Sequence, residues 1–138
     1  MSDLQGGCLC GKVRYKISAD PVFSGVCHCK SCQKGTGSAF AVVVAVPSAG
    51  VAVTGALTAY VGKGDSGKTT TKRFCPNCGS PISGEAELMP NVTMIEVGTL
   101  DDPSAVTPGM HIYCRSKMDW MVIPEGVGQF PTMPPGPG

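Results

Sequence analysis

The chain has 138 residues and a mass of 14.2 kDa, long enough for one domain with its own hydrophobic core. Hydrophobic residues make up 42% and charged residues 15%, and 11 basic against 10 acidic side chains leave a formal charge of +1. That balance excludes a disordered chain and the basic footprint of a nucleic-acid binder, while 19 glycines and 12 prolines favour turns and short elements over long helices.

Short stretches of Val, Thr, Tyr and Ile, separated by Gly, Pro, Asp and Asn, read as strands. In chain order they fall at 9–17, 23–28, 38–46, 51–54, 57–61, 68–74, 82–87, 93–97 and 111–114. Val13, Tyr15 and Ile17 alternate with Arg14 and Lys16, the pattern of a half-buried strand. Residues 39–46 do not alternate, so that strand is expected to be buried on both faces. Helical turns fit 30–35 and 100–105, and the chain becomes Gly- and Pro-rich from Pro124. A single domain over 1–138 is expected, with its core at about 6–130 and an extended or frayed tail at 131–138. The first fifteen residues hold no apolar segment of the signal-peptide kind, and the longest apolar run, 39–46, is far short of the roughly 20 residues of a membrane span. A cytoplasmic, reducing setting with no membrane partner follows as the expectation.

The 8 cysteines are the anomaly, and seven of them lie in three clusters: Cys8-Leu9-Cys10, Cys27-His28-Cys29-Lys30-Ser31-Cys32 and Cys75-Pro76-Asn77-Cys78-Gly79. Clustered thiols without a secretory signal read as metal ligands before disulfides. Cys75 and Cys78 have the spacing of a knuckle that aims two sulfurs at one metal, with Gly79 free to adopt a positive φ. Cys8 and Cys10, read as i,i+2 on a strand, would leave the same face. Those four thiolates make a closed tetrahedral set. Cys27, Cys29 and Cys32 make a local set of three that leaves one position open. Two structural zincs, disulfides, a redox pair at Cys75–Cys78 and an iron–sulfur cluster are the competing readings. His28 points away from its flanking cysteines in an extended segment and suits packing, as does His111. Cys114 stands alone and reads as a small buried hydrophobe. Lys12, Lys30, Lys34, Lys72 and Arg73 lie near the clusters in sequence, where they can offset thiolate charge or attract an anion. Glu85, Glu87 and Asp102 are the carboxylates available as a general base, and each suits a surface or turn role better.

Five blocks carry a family resemblance. They are Gly7-Cys8-Leu9-Cys10-Gly11-x-Val13-x-Tyr15; Cys27-His28-Cys29-x-x-Cys32-Gln33-Lys34-x-x-Gly37-Ser38-Ala39-Phe40; Phe74-Cys75-x-x-Cys78-Gly79-Ser80-Pro81; Gly98-Thr99-Leu100-Asp101-Asp102-Pro103; and His111-Ile112-Tyr113-x-x-Ser116-Lys117-x-x-Trp120. In this order they resemble the glutathione-dependent formaldehyde-activating enzyme family, which includes centromere protein V. The resemblance implies a mainly β domain of curled antiparallel sheets, the β-tent, with short helical turns and zinc knuckles. It implies two zinc ions: a structural one on Cys8, Cys10, Cys75 and Cys78, and a labile or catalytic one on Cys27, Cys29 and Cys32. It also implies condensation of glutathione with formaldehyde to S-hydroxymethylglutathione, which is carbon–sulfur cleavage in reverse and so a lyase activity. Cys114 is not among the family's ligands, and Tyr113 stands where Trp is common. No glutathione-contacting residues carry over. Two other functions fit the same residues: a non-catalytic zinc-binding or protein-interaction module, and a lyase or transferase acting on another thiol adduct.

Overall fold

Turn residues cut the chain into short strands, which assemble into two sheets. The computed structural model describes residues 3–64 and 66–134. Strands β1 (Leu4–Gly7), β2 (Arg14–Ile17) and β5 (Val51–Thr54) form an antiparallel sheet in the order β1-β2-β5. The larger sheet contains β3 (Phe23–Cys27), β4 (Ala41–Pro47), β6 (Thr58–Lys63), β7 (Thr69–Phe74) and β8 (Pro81–Ala86). It is completed by β9 (Met89–Glu96), β10 (Met110–Ile112) and β11 (Gly128–Gln129). Its order is β11-β10-β3-β4-β9-β8-β7-β6. Among the described residues the α-helix is α1 (Lys30–Thr36), and the other helical turns are single 3-10 turns.

Curled antiparallel sheets of the β-tent type are not what forms. Both sheets are open, and the larger one is mixed, because β10 runs parallel to both β3 and β11. The connection 113–127 from β10 to β11 meets the roughly dozen residues that a parallel return needs, and β3 and β10 are joined by the whole stretch 28–109. The expected knuckles also take other forms. Cys29 is the N-cap of α1, with Cys32 in its first turn, and Cys75–Cys78 occupies a tight turn between β7 and β8. The strand expected at 9–17 begins only at Arg14, so Cys8 and Cys10 sit in the turn between β1 and β2 rather than on a strand face. Gly11 closes that turn at φ 82°, a conformation that carries little penalty only without a Cβ, and its N–H donates to the Cys8 carbonyl.

The core lies between the sheets. Tyr15 and Ile17 from the small sheet meet Val44, Val46, Ile82 and Ile95 from the large one, all nearly inaccessible to water. Strand alternation gives the large sheet a second face. On β4, Val44 and Val46 face this core, so Ala41 and Val43 face the other way. Burial of both faces of β4 matches its unbroken apolar run. The Gly- and Pro-rich end is docked through at least Thr132: Tyr113 N–H donates to the Thr132 carbonyl, Cys114 N–H to that of Phe130, and Phe130 N–H to that of His111. Of the expected tail, 135–138 lies outside the described residues.

Candidate metal centres and active-site cleft

The four-cysteine set is assembled by two turns that the core brings together. Cys8 and Cys75 are buried, Cys78 is partly buried and Cys10 is exposed. Their ligand atoms all lie within 4.8 Å of one another, with Cys8 and Cys10 sulfurs 3.5 Å apart and those of Cys10 and Cys75 3.8 Å apart. A tetrahedral ion with metal–sulfur bonds of about 2.3 Å sets its sulfurs about 3.8 Å apart, whereas a disulfide needs about 2.05 Å. The donor set fits a metal, and all eight cysteines are free thiols. Amide hydrogens surround the sulfurs as thiolates require. Val13 N–H donates to Cys8 Sγ at 3.3 Å, and Asn77 and Cys78 N–H approach Cys75 Sγ at 3.4 and 3.5 Å. The Ser80 hydroxyl lies 3.3 Å from Cys78 Sγ, and with nearby amides it draws the Cys78 thiol down to about 5. Gly79 takes φ 79° after the turn, as its place behind the cysteine pair anticipates.

The three-cysteine set forms where β3 runs into α1. Cys27 ends the strand, Cys29 caps the helix by accepting from Cys32 N–H at 3.3 Å, and Cys32 follows one turn later. The three sulfurs again lie within 4.8 Å of one another. Their titration shows a trio that resists carrying three charges without a cation. Thiol donors from Cys27 and Cys32 pull Cys29 down to about 2, its own acceptance pushes Cys27 up to about 12, and Cys32 is driven upward by both neighbours. A divalent ion would remove that conflict, so this donor set also fits a metal.

The two sets differ in what surrounds them. Cys27, Cys29 and Cys32 open onto a cleft of about 590 Å³ over the non-core face of the large sheet. Ala41 and Val43 form part of its floor, Lys72 and Arg73 from β7 and Glu85 from β8 its far wall, and Tyr113 one rim. Lys72 spans the opening, with Nζ donating to the Ser31 carbonyl at 3.0 Å. A Cβ on Gly35 would lie 2.8 Å from that nitrogen, so a larger residue there would make the end of the lysine side chain shift. Lys30 also lines the cleft, whereas Lys34 and Lys12 do not. Among the carboxylates anticipated as a base, Glu85 lines the cleft but is held by Arg73 at 2.9 and 3.1 Å. Glu87 accepts from Thr69 N–H, and Asp102 caps the turn at Ser104.

His28 and His111 do not join either metal set. His28 is fully buried, with Nε2 2.8 Å from His111 Nδ1, and desolvation keeps both imidazoles below their ordinary pKa. Among the described residues the Nδ1 atom of His28 is without a hydrogen-bond partner. Cys114 is partly buried rather than a core residue, and its Sγ lies 3.5 Å from the His111 carbonyl. Sequence reasoning missed Glu96, which lies in the cleft wall with its carboxyl raised to about 7 by burial. A lone acid at the end of the apolar stretch 93–97 is the signal that was present for it. It also missed Tyr113 as a backbone outlier: φ 56° is rarely adopted by a bulky residue, and here it occurs at the cleft rim.

A solved structure shares this architecture. The crystal structure of a Rhodobacter sphaeroides protein, a structural-genomics target, superposes with a TM-score of 0.58 at 23% identity, covering 75% of this chain and 91% of that one. That likeness concerns the fold alone. No curated protein matches the chain. Residues 3–116, spanning both cysteine sets and the cleft, match the family described as glutathione-dependent formaldehyde-activating enzyme, and the chain belongs to that family.

Proposed function

We propose that this chain is a zinc-dependent enzyme that joins a small thiol, such as glutathione, to formaldehyde or a related small electrophile, with carbon–sulfur cleavage as the reverse reaction. The observation that carries this reading is the unequal setting of the two cysteine sets. Four thiols complete a tetrahedral site at the junction of two turns, while three thiols face a cleft of about 590 Å³ with no fourth ligand among the described residues. Cys8, Cys10, Cys75 and Cys78 hold the structural ion in this account, and Cys27, Cys29 and Cys32 the functional one. When bound there, zinc lowers the pKa of a thiol at its open position and so supplies a sulfur nucleophile near neutral pH.

The chain's own residues do the rest. Lys72 and Lys30 offer ammonium groups at the cleft to carboxylates of the thiol substrate. Ala41 and Val43 give the floor an apolar surface that displaces water. Gln33 Nε2 donates to the carbonyls of His28 and Ser116 at 2.8 and 3.0 Å, fixing α1 against the segment after β10 and holding the trio in register. The test is the Cys32→Ser variant. It should fold, bind one zinc fewer per chain and lose acceleration of thiol–formaldehyde adduct formation above the uncatalysed rate. Full activity with this change would sink the assignment of the trio.

A further inference from the structure

We propose that Glu96 is the catalytic proton donor and acceptor of the cleft, delivering a proton to the aldehyde oxygen as the carbon–sulfur bond forms. This rests on the thiol–aldehyde reading above and adds the group that reading lacks.

Register places Glu96 on the same surface as the cysteine trio. Cys27 lies opposite Ala41, and Val43, two residues along β4 on the same face, lies opposite Glu96. Two strand spacings of about 4.8 Å and an offset of about 6.6 Å along β4 put the Cα atoms of Cys27 and Glu96 roughly 12 Å apart. Two side chains reaching inward across that gap leave room for a sulfur and a one-carbon electrophile between them.

Lys72 ties the two groups together a second way. Its ammonium donates to the carbonyl of Ser31, between Cys29 and Cys32, and lies within electrostatic reach of the Glu96 carboxyl, whose charged form it favours. Its anchor on the Ser31 carbonyl fixes that position. Besides Lys72 and the cysteine trio, the other charged or titratable groups lining the cleft with Glu96 are Tyr60 and Lys63 from β6, Lys68 before β7, Arg73 from β7, Glu85 from β8, Lys30 from α1, and Tyr113 and Arg115 after β10; β4 presents only apolar side chains. Arg73 and Glu85 are engaged with each other. Among the described residues, Glu96 is therefore the cleft carboxyl not committed to an ion pair. Burial raises it to about 7, so both protonation states are available near neutrality, as general acid–base work requires.

The step balances without a further reactant. The Glu96 carboxylate takes the proton of the entering thiol, the sulfur pair forms the carbon–sulfur bond, and the carbonyl π pair takes that proton from Glu96 to become a hydroxyl. The carboxylate is thereby regenerated for the next thiol. Cleavage runs the same transfers backward.

The experiment compares zinc-loaded wild type, Glu96→Gln and Glu96→Asp in exchange NMR of glutathione with formaldehyde across pH. The carboxyl carbon of Glu96 in the wild type is followed by NMR in parallel. The expected result is about a hundredfold lower kcat in Glu96→Gln, with zinc content and thiol affinity unchanged, and partial recovery with its pH limb in Glu96→Asp. The Glu96 carboxyl should titrate near 7 in the wild type whether or not either variant folds. A Glu96→Gln enzyme with wild-type kcat at every pH, or a Glu96 carboxyl titrating in the ordinary acid range, overturns the role of Glu96 and leaves the thiol–aldehyde reading standing. A wild type that does not accelerate the reaction overturns that reading, and this inference with it.

Discussion

Glu96 keeps its proton to about 7 because its position between β4 and β8 disfavours a carboxylate, and Lys72 only partly offsets that penalty. The unfolded chain gives up the same proton near the ordinary 4.5. Between those values the folded protein holds a proton that the unfolded chain has lost, so stability falls as pH rises through the window. Glu96→Gln removes that dependence. Denaturant titrations from about pH 5.5 to about pH 8 should therefore show the variant gaining on the wild type, reaching on the order of 1–3 kcal/mol at the alkaline end. Parallel curves would show that Glu96 ionises normally. The cysteine trio pulls in both directions, with Cys29 held down and Cys27 and Cys32 pushed up, since three sulfurs within 4.8 Å can share one charge easily but not three.

Two short elements support the segment at the cleft rim: β10, whose strand the sequence places at 111–114, and β11, which is not visible in local sequence. β10 has three residues and β11 two, too few for a period-2 pattern to declare β11 or its parallel pairing. They hold because β10 completes the edge of β3 and β11 completes that of β10. Truncation after Gly126 removes β11 and the Phe130 and Thr132 carbonyls that receive Cys114 and Tyr113. It should lower Tm by several degrees and raise amide exchange at Tyr113 and Cys114, leaving β7 and β8 protected; unchanged exchange there would show the docking to be dispensable. By contrast, the strands at 51–54 and 68–74 and the helix at 30–35 were legible almost to the residue. The cysteine sets were legible too, because ligand spacing survives any change in the backbone around it. The strand assigned across Cys8 and Cys10 was not, because backbone bonds from Cys8 to Val13 and from Gly11 to Cys8 make a turn out of residues whose composition suits a strand. Glu96 stayed hidden because no spacing marks which face of a strand meets a cleft; only register across β3, β4 and β9 does.

At the scale of the molecule, the two cysteine sets have opposite relations to the fold. The four-cysteine set joins the β1–β2 turn to the β7–β8 turn, residues far apart in sequence, and includes two side chains of the core, Cys8 and Cys75. Metal bound there is part of the folding free energy. The three-cysteine set is local to one strand end and one short helix, so its metal closes no long loop. Cys78→Ser should therefore lower Tm by ten degrees or more, an order-of-magnitude expectation for a lost structural metal, while Cys32→Ser moves it by only a few. Equal losses in the two variants would contradict this division. Binding of two ions through seven thiolates would also turn the small formal positive charge into a small negative one, so the lysines of the cleft become the local attraction for an anionic thiol. Among the described residues no helix is long and apolar enough to cross a membrane. The most direct test of the account is cadmium NMR of the metal-exchanged protein during titration with glutathione. Two resonances are expected, one unmoved throughout and one shifting as the thiol binds, with the shifting one absent from Cys32→Ser. Two resonances that both ignore glutathione, or a single closed site, would contradict it.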